Sequence, residues 1–406
     1  MNYLETLNYI HSLGNFSMPS GLDRIKSVLT ALGNPQEKLR AIHIAGTNGK
    51  GSVSVMLASV FKEAGYKTGL FTSPFIICFR ERIQINGEYI SEEELTEYAE
   101  RVMATNIKLT EFEFITALSF LYFAEQKIDI LICETGLGGR LDATNTLENK
   151  IASVITKIGL DHTQILGKTL EAIAKEKCGI LRDCPTVTNP YQPKGALEVI
   201  KDSASSLFVP DLNQLEILKE NAVGNSFIYM NDKYNLSLCG EFQIENALVA
   251  IETLKVCGIN IPYTYMYRGM EKAFIPARME MLSDEPLIML DGAHNPDGAK
   301  ALETELKKHS GSVTAVIGMM RDKNCGEFLM RTLKHCKSAI AVEVEGLPRS
   351  ISAEELKIIA SQYCDCEVAE SYNSAIDKAK ELANGGPVFI FGSLYLASEI
   401  RKIFKK

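Results

Sequence analysis

Between two apolar stretches of different period lies Ala45-Gly46-Thr47-Asn48-Gly49-Lys50-Gly51-Ser52. Glycines at 46, 49 and 51 give it the character of a glycine-rich turn. Arg40-Ala41-Ile42-His43-Ile44-Ala45 before it reads as a short buried strand, and Val53 to Phe61 after it has apolar residues at helical spacing. Strand, glycine turn and helix form the opening of an α/β sheet. The glycines let the backbone approach polyphosphate oxygens, the helix start offers N–H groups and a positive dipole end, and Lys50 adds a point charge. The spacing departs from GxxxxGK[ST], because Ile44 and Gly51 stand where that pattern needs glycine and a hydroxyl residue. Nucleotide binding is the working reading, and a plain glycine-rich turn is its alternative.

A chain of 406 residues is too long for one ordinary core, and two domains are expected. With 46% hydrophobic and 23% charged residues it reads as globular and soluble. The net charge of −8 gives no general attraction to nucleic acid or to an anionic membrane, so an anionic substrate needs a local basic pocket. No leader-like start and no apolar run of membrane-spanning length is found, which predicts a cytoplasmic protein. Ten cysteines are scattered without a CxxC pair, and reduced, buried thiols are expected; Cys364-Asp365-Cys366 lacks the partners of a metal clip.

Buried-strand patterns at Lys67–Thr72, Ile128–Glu134 and Ile151–Ile158 alternate with helical ones, among them Glu111 to Phe123. Phe227 to Leu238 reads as a hairpin turning at Asn231-Asp232-Lys233, and Glu241 to Cys257 as a helix. Phe274-Ile275-Pro276-Ala277 is a connector, after which strands are expected at Leu287–Leu290, Val313–Gly318, Ala339–Val344 and Val388–Gly392. The expected fold class is α/β: a mostly parallel P-loop-type sheet over 1–274, a linker at 275–279, and a smaller Rossmann-like domain over 280–406.

In open α/β sheets ligands gather beyond the carboxyl ends of the strands. There the sequence places Thr72-Ser73-Pro74, Glu134 to Arg140, and Gly159-Leu160-Asp161-His162. Glu134 at a buried strand end suits Mg²⁺ beside phosphate, with Ser73 and His162 as companions; helix capping is its structural alternative. Lys177, near a helix end, reads from its surroundings as a solvated lysine. Asp291-Gly292-Ala293-His294-Asn295-Pro296 holds more polar groups than one helix cap needs, and Arg278 is placed to reach a phosphate.

These runs, with Glu81-Arg82-Ile83, Asn86-Gly87, Leu141-Asp142-Ala143-Thr144-Asn145 and Gly392-Ser393-Leu394-Tyr395-Leu396, resemble the folylpolyglutamate synthase and dihydrofolate synthase branch of the Mur ligases almost end to end. The resemblance accounts for the irregular loop, since that superfamily uses GTNGK. It implies that Thr47, Asn48, Gly49, Lys50, Gly51 and Ser52 bind ATP, with Asn246, Arg278 and Asp291 contacting the nucleotide. It implies two Mg²⁺ ions held by Ser73, Glu134, His162 and a carbamylated Lys177. Arg82, Thr110 and Phe112 would meet the folate, and Asp291, His294, Ser393 and Tyr395 the glutamate; Lys50, Lys177 and His294 would be catalytic. Phe75 and Phe242 stand where the family usually has histidine.

The implied reaction is ATP-dependent amide ligation of glutamate to a folate γ-carboxylate through an acyl phosphate, in a cleft that shuts against water, and by the same chemistry to dihydropteroate. The implied partners are those small molecules, with no nucleic acid or membrane, and a monomer is expected. A ligase extending only the folate tail is one alternative, and a nucleotide-dependent binding switch is another. A peptidoglycan-precursor ligase would need a further domain, and roughly 40 residues before the loop are too few for one.

Overall fold

A computed structural model describes residues 1–14, 21–221, 224–321 and 324–404. The chain forms two compact units, one of Met1–Leu218, Ser226–Leu236 and Gln243–Phe274, the other of Lys219–Asn225, Ser237–Phe242 and Ile275–Lys406.

The first unit is built on β1 (Ala41–Ala45), β2 (Thr68–Phe71), β3 (Ile83–Ile85), β4 (Glu88–Tyr89), β5 (Ile130–Glu134), β6 (Lys150–Ile155), β7 (Thr186–Thr188) and β8 (Leu207–Phe208). Their order is β4-β3-β2-β5-β1-β6-β7-β8. From β2 to β8 every pairing is parallel, and β3 and β4 add an antiparallel edge. β1 and β5 are buried at every residue, which is why they read as continuous apolar runs without alternation. Helix Glu111–Glu125 starts at a capping box in which Thr110 and Glu113 satisfy each other's backbone N–H groups. It places Phe114, Leu118 and Phe120 in a core shared with Ile10, Val28 and Phe71.

Three strands, β9 (Leu215–Asn221), β10 (Gly224–Tyr229) and β11 (Asp232–Leu236), form a separate sheet in the order β11-β10-β9. The turn between the last two is Met230-Asn231, with φ of 51° and 70°. This corrects the expected turn at 231–233: the two positive φ values are those of a type I′ two-residue loop, and Asp232 and Lys233 already lie in β11. β9 was not expected; its residues up to Lys219 are exposed or half-buried, so it gives no apolar alternation to read.

The second unit has six strands, β12 (Glu280–Ser283), β13 (Ile288–Leu290), β14 (Val313–Ile317), β15 (Cys336–Val342), β16 (Asp365–Ala369) and β17 (Val388–Phe391), ordered β12-β13-β17-β14-β15-β16. All pairs are parallel except β12 with β13. Phe328, Phe389 and Phe391 anchor its core, and Phe242 packs against it. Among the described residues no helix is long and apolar enough to cross a membrane. All ten cysteines are free thiols, eight of them outside the 364–366 pair.

Candidate active site

β1 ends at Ala45 in the middle of the first sheet, and the chain turns through Gly46 (φ 152°) and Gly49 (φ 91°) into helix Lys50–Glu63. Both glycines are required by space. A Cβ at Gly46 would lie 1.8 Å from Thr156 Oγ1, and one at Gly49 2.2 Å from Asn246 Oδ1. The Thr47 and Asn48 N–H groups both donate to Lys157 O, at 3.0 and 3.1 Å. Lys157 leaves the ladder to do this, so β6 stops at Ile155 and not at the expected Ile158. Thr47 Oγ1 closes the same contact, accepting from Gly159 N–H at 3.0 Å. The helix begins without a side-chain cap and without an acidic residue in its first turn. An uncapped helix start presents N–H groups and a partial positive charge, the ordinary setting for an anion.

Two lysines converge on one oxygen of this loop. Lys50 Nζ donates to Gly46 O at 3.2 Å and to Thr47 O at 3.3 Å, while Lys177 Nζ donates to Gly46 O at 2.6 Å. Lys177 is only 5% exposed, so its reading as a solvated lysine is corrected. Its helix, Leu170–Cys178, is pressed against the Gly136–Gly139 turn: Arg140 N–H donates to Glu176 O at 2.8 Å, and a Cβ at Gly139 would come within 2.6 Å of Lys177 O. Burial and then the Lys50 charge push the Lys177 ammonium down to about 7. Glu134, 3% exposed, ends β5 with Oε1 4.0 Å from Lys50 Nζ, and its Oε2 accepts from Ser73 N–H at 3.3 Å. It caps no helix. His162 has αL backbone (φ 47°) and an exposed ring 3.6 Å from Asp161 Oδ2.

Asn246 lies on helix Glu241–Val256, where its Nδ2 donates to Gln243 Oε1 at 3.1 Å. The neighbouring Glu245 accepts from Lys157 Nζ at 3.0 Å and from Asn189 Nδ2 at 3.2 Å, tying this helix to the segment after β6 that holds the loop.

On the other flank, Arg82 lays its guanidinium over Phe75 and Phe79, at 5.2 and 5.3 Å, with Nη2 4.0 Å from Glu111 Oε1. Phe75 therefore serves as an aromatic platform for a cation. The Thr110 hydroxyl is engaged with Glu113 as a helix cap. Phe112 packs on the glycine turn, where a Cβ at Gly136 would lie 2.5 Å from its Cζ.

Beneath these groups runs a buried polar network that sequence reading missed. Asp142 accepts from Leu137 N–H at 2.9 Å and from the Thr144 hydroxyl at 2.5 Å. Because that hydroxyl donates to Asp142, its oxygen accepts from His43 Nε2–H at 2.8 Å, which fixes the imidazole tautomer. Burial holds His43 well below its ordinary value and raises Asp142. Asn145 Nδ2 bridges Arg140 O and Gly179 O, both at 3.0 Å, and its Oδ1 accepts from Lys150 Nζ at 3.1 Å.

Burial pushes Lys150 down to about 7 from an ordinary 10.5. Between those values the unfolded chain holds a proton that the folded chain has released, so stability rises with pH across this window and the Lys150 contribution is flat below it. The gain is on the order of 5 kcal/mol at most. Denaturant titrations at pH 7, 8.5 and 10 should show wild type gaining on Lys150→Met; parallel pH curves would contradict this.

In the second unit β13 delivers Asp291, whose Oδ2 accepts from Met279 N–H at 2.8 Å and Oδ1 from Ala293 N–H at 2.7 Å. The carboxylate thus braces its own turn and the 277–279 segment, where Ala277 and Met279 are both held at positive φ. Burial raises Asp291 and the Arg278 charge opposes it. His294 Nδ1 lies 2.8 Å from Gly292 O, and Asn295 caps helix Pro296–Lys308. A carbonyl only accepts, so Nδ1 carries a proton. Ser393 follows β17, buried, with Oγ accepting from Tyr395 N–H at 3.1 Å. Tyr395 OH accepts from Arg349 Nη2 at 3.0 Å.

Residues 44–254 match the Mur ligase middle domain, and residues 279–403 match the dihydrofolate synthetase C-terminal domain. The folylpolyglutamate synthase of Lacticaseibacillus casei is 36% identical, over 99% of this chain and 98% of its own length. The chain belongs to the folylpolyglutamate synthase and dihydrofolate synthase family of Mur ligases. The dihydrofolate synthase/folylpolyglutamate synthase of Bacillus subtilis is 38% identical, over 99% of both chains. Among solved structures, Escherichia coli FolC in complex with DHPP and ADP is similar with a TM-score of 0.88 and 28% identity, covering 100% of this chain and 98% of the other. As a Mur ligase the chain is expected to use Mg²⁺. Among the described residues no three His, Cys, Asp or Glu side chains are grouped to hold a metal by themselves. Mg²⁺ takes one or two carboxylates and completes its shell with water and substrate phosphate; the buried Glu134 carboxylate, with Ser73 N–H on its Oε2, is one carboxylate of that kind.

Proposed function

We propose that this chain is an ATP-dependent ligase that joins the amine of L-glutamate to the γ-carboxylate of a reduced folate, and to dihydropteroate in the same way. The observation that carries this reading is the convergence of Lys50 and Lys177 on Gly46 O beside Glu134, at an uncapped helix start. A folate carboxylate oxygen attacks the γ-phosphorus of ATP; the new O–P bond forms as the bond to the β,γ-bridging oxygen breaks, and ADP leaves. The amine nitrogen of glutamate then attacks the acyl carbon, the C–O bond to phosphate breaks, and inorganic phosphate departs. Phosphorylation is needed because oxide is too poor a leaving group from a carboxylate.

In this reading residues 47–52 hold the phosphates, Lys50 offsets charge on the transferring group, and Asn246 contacts the nucleotide. Ser73, Glu134 and His162 would hold Mg²⁺, which supplies Lewis-acid neutralisation of phosphate charge. A carbamate on Lys177 would replace a buried cation with oxygen donors for a second Mg²⁺. Arg82 and Phe112 would receive the folate, with Thr110 fixing the helix that carries Phe112. Arg278 and Asp291 would contact the nucleotide, while Asp291, His294, Ser393 and Tyr395 would meet glutamate, with His294 as the group that takes a proton from its ammonium. The partners are these small molecules, and the chain acts as a cytoplasmic monomer.

A folate carboxylate labelled with ¹⁸O tests the route. One labelled oxygen should appear in inorganic phosphate for each amide formed. Label confined to the product would rule out the acyl phosphate.

A further inference from the structure

Lys177 lies in the last turn of helix Leu170–Cys178, so the place of its nitrogen, 2.6 Å from Gly46 O, depends on how that helix end is held. The contact that holds it is backbone on backbone. A Cβ at Gly139 would lie 2.6 Å from Lys177 O and 2.8 Å from Glu176 O, and one at Gly179 would lie 2.4 Å from Arg140 Cα. Across this contact Arg140 N–H donates to Glu176 O at 2.8 Å. So close an approach leaves two carbonyls, Arg140 O and Gly179 O, turned toward one side chain. Asn145 Nδ2 donates to both, each at 3.0 Å.

A primary amide carries two N–H groups on one nitrogen, one for each of these carbonyls. Its oxygen is engaged as well: Oδ1 accepts from Lys150 Nζ at 3.1 Å and from Arg182 Nη2 at 3.0 Å. Two cations on the oxygen fix which end of the amide faces the carbonyls. Asn145 is buried, and both cations are tied to the same helix end, Lys150 Nζ donating to Ile180 O at 2.8 Å and Arg182 Nη1 to Gly179 O at 3.1 Å. The short 3₁₀ helix Ala143–Thr146 that carries Asn145 is anchored by Asp142, which accepts from Thr144 N–H at 3.0 Å and from Leu137 N–H at 2.9 Å. One element therefore holds both the glycine turn after Glu134 and the helix end that carries Lys177. Serine has one donor and aspartate has none, so neither reproduces the bridge.

We propose that Asn145 is the positioning residue for Lys177, setting through the Arg140 and Gly179 carbonyls where the Lys177 nitrogen meets Gly46 O; this rests on the reading of Lys177 as part of the reaction site. The test uses the full chain with Asn145→Asp, Asn145→Ala and Lys177→Ala, singly and combined. Asn145→Asp keeps the oxygen that meets Lys150 and Arg182 and sets a second oxygen against the two carbonyls, so it opens the contact without emptying the space. Each Asn145 variant should lower kcat by roughly 10- to 100-fold, because a displacement of about 1 Å in a catalytic group costs up to that much, while the KM values for folate and glutamate stay within about twofold. In the Lys177→Ala background the same substitutions should change kcat by no more than about twofold, since the group they position is gone. In the ligand-free chain, amide hydrogen exchange should quicken in segments 136–140 and 170–182 while β1 keeps its protection. Equal losses of kcat with and without Lys177 would overturn the proposal, as would an unchanged kcat in both Asn145 variants. Loss of the folded state in both variants, or faster exchange throughout the first unit, would make Asn145 a purely structural residue and overturn it too. Undiminished turnover in Lys177→Ala alone, where Asn145 is intact, would remove the reading of Lys177 and the proposal with it.

Discussion

Lys50→Ala is expected to lower kcat by roughly 1,000-fold or more while the thermal midpoint stays within a few degrees. The two halves of that expectation have separate causes. In the structure Lys50 contributes two hydrogen bonds to loop carbonyls, at 3.2 and 3.3 Å, and Gly46 O retains its bond from Lys177 when they are lost. Removing Lys50 also relieves repulsion between two ammonium groups on one oxygen, so the fold loses little. Catalysis loses the charge that offsets the transferring phosphoryl group, and no other residue of the 46–52 loop is cationic. Rapid-quench turnover with saturating substrates, together with calorimetry, separates these effects. Turnover retained within tenfold would show that the loop is not the phosphate cradle.

Lys177→Ala carries the second large effect, a loss of roughly 100-fold or more in kcat. A buried lysine whose nitrogen lies 2.6 Å from Gly46 O is in place to act on the loop. It is held down near 7 by burial and by Lys50, so its ammonium is costly to keep, and alanine should leave stability unchanged or improved. Acetate or bicarbonate added to the variant should restore part of the activity if a carbamate oxygen is what the site has lost. Undiminished activity in the variant would count against any role, and a loss that small carboxylates leave untouched would point to the amine.

What could be read from the chain depended on whether the signal was local. The 40–61 segment declares strand, turn and helix by its own periodicity, and β1 with helix Lys50–Glu63 follows it closely. The place of Glu134 at the end of a buried strand was legible because it closes an all-apolar run. Lys177 was not legible from its surroundings, because its burial is made by the Gly136–Gly139 turn, a distant part of the chain. The same holds for Lys157, whose carbonyl takes the Thr47 and Asn48 N–H groups: a backbone acceptor leaves no trace in residue identity. Asp142 and Asn145 were visible only as members of a motif, since nothing local shows that Asp142 holds Leu137 or that Asn145 bridges Arg140 and Gly179. β12 was missed because it is a four-residue edge strand with polar residues at both ends, Glu280 and Ser283.

The most direct measurement of the ligase reading is the mass of the acceptor after incubation with the purified chain, ATP, Mg²⁺ and L-glutamate. Each folate, and dihydropteroate in a parallel reaction, should gain the mass of one glutamyl residue, with one ADP released per residue added and none when glutamate is withheld. Gain by the folate alone would restrict the activity to tail extension. ADP release without a gain of mass by either acceptor would contradict the account.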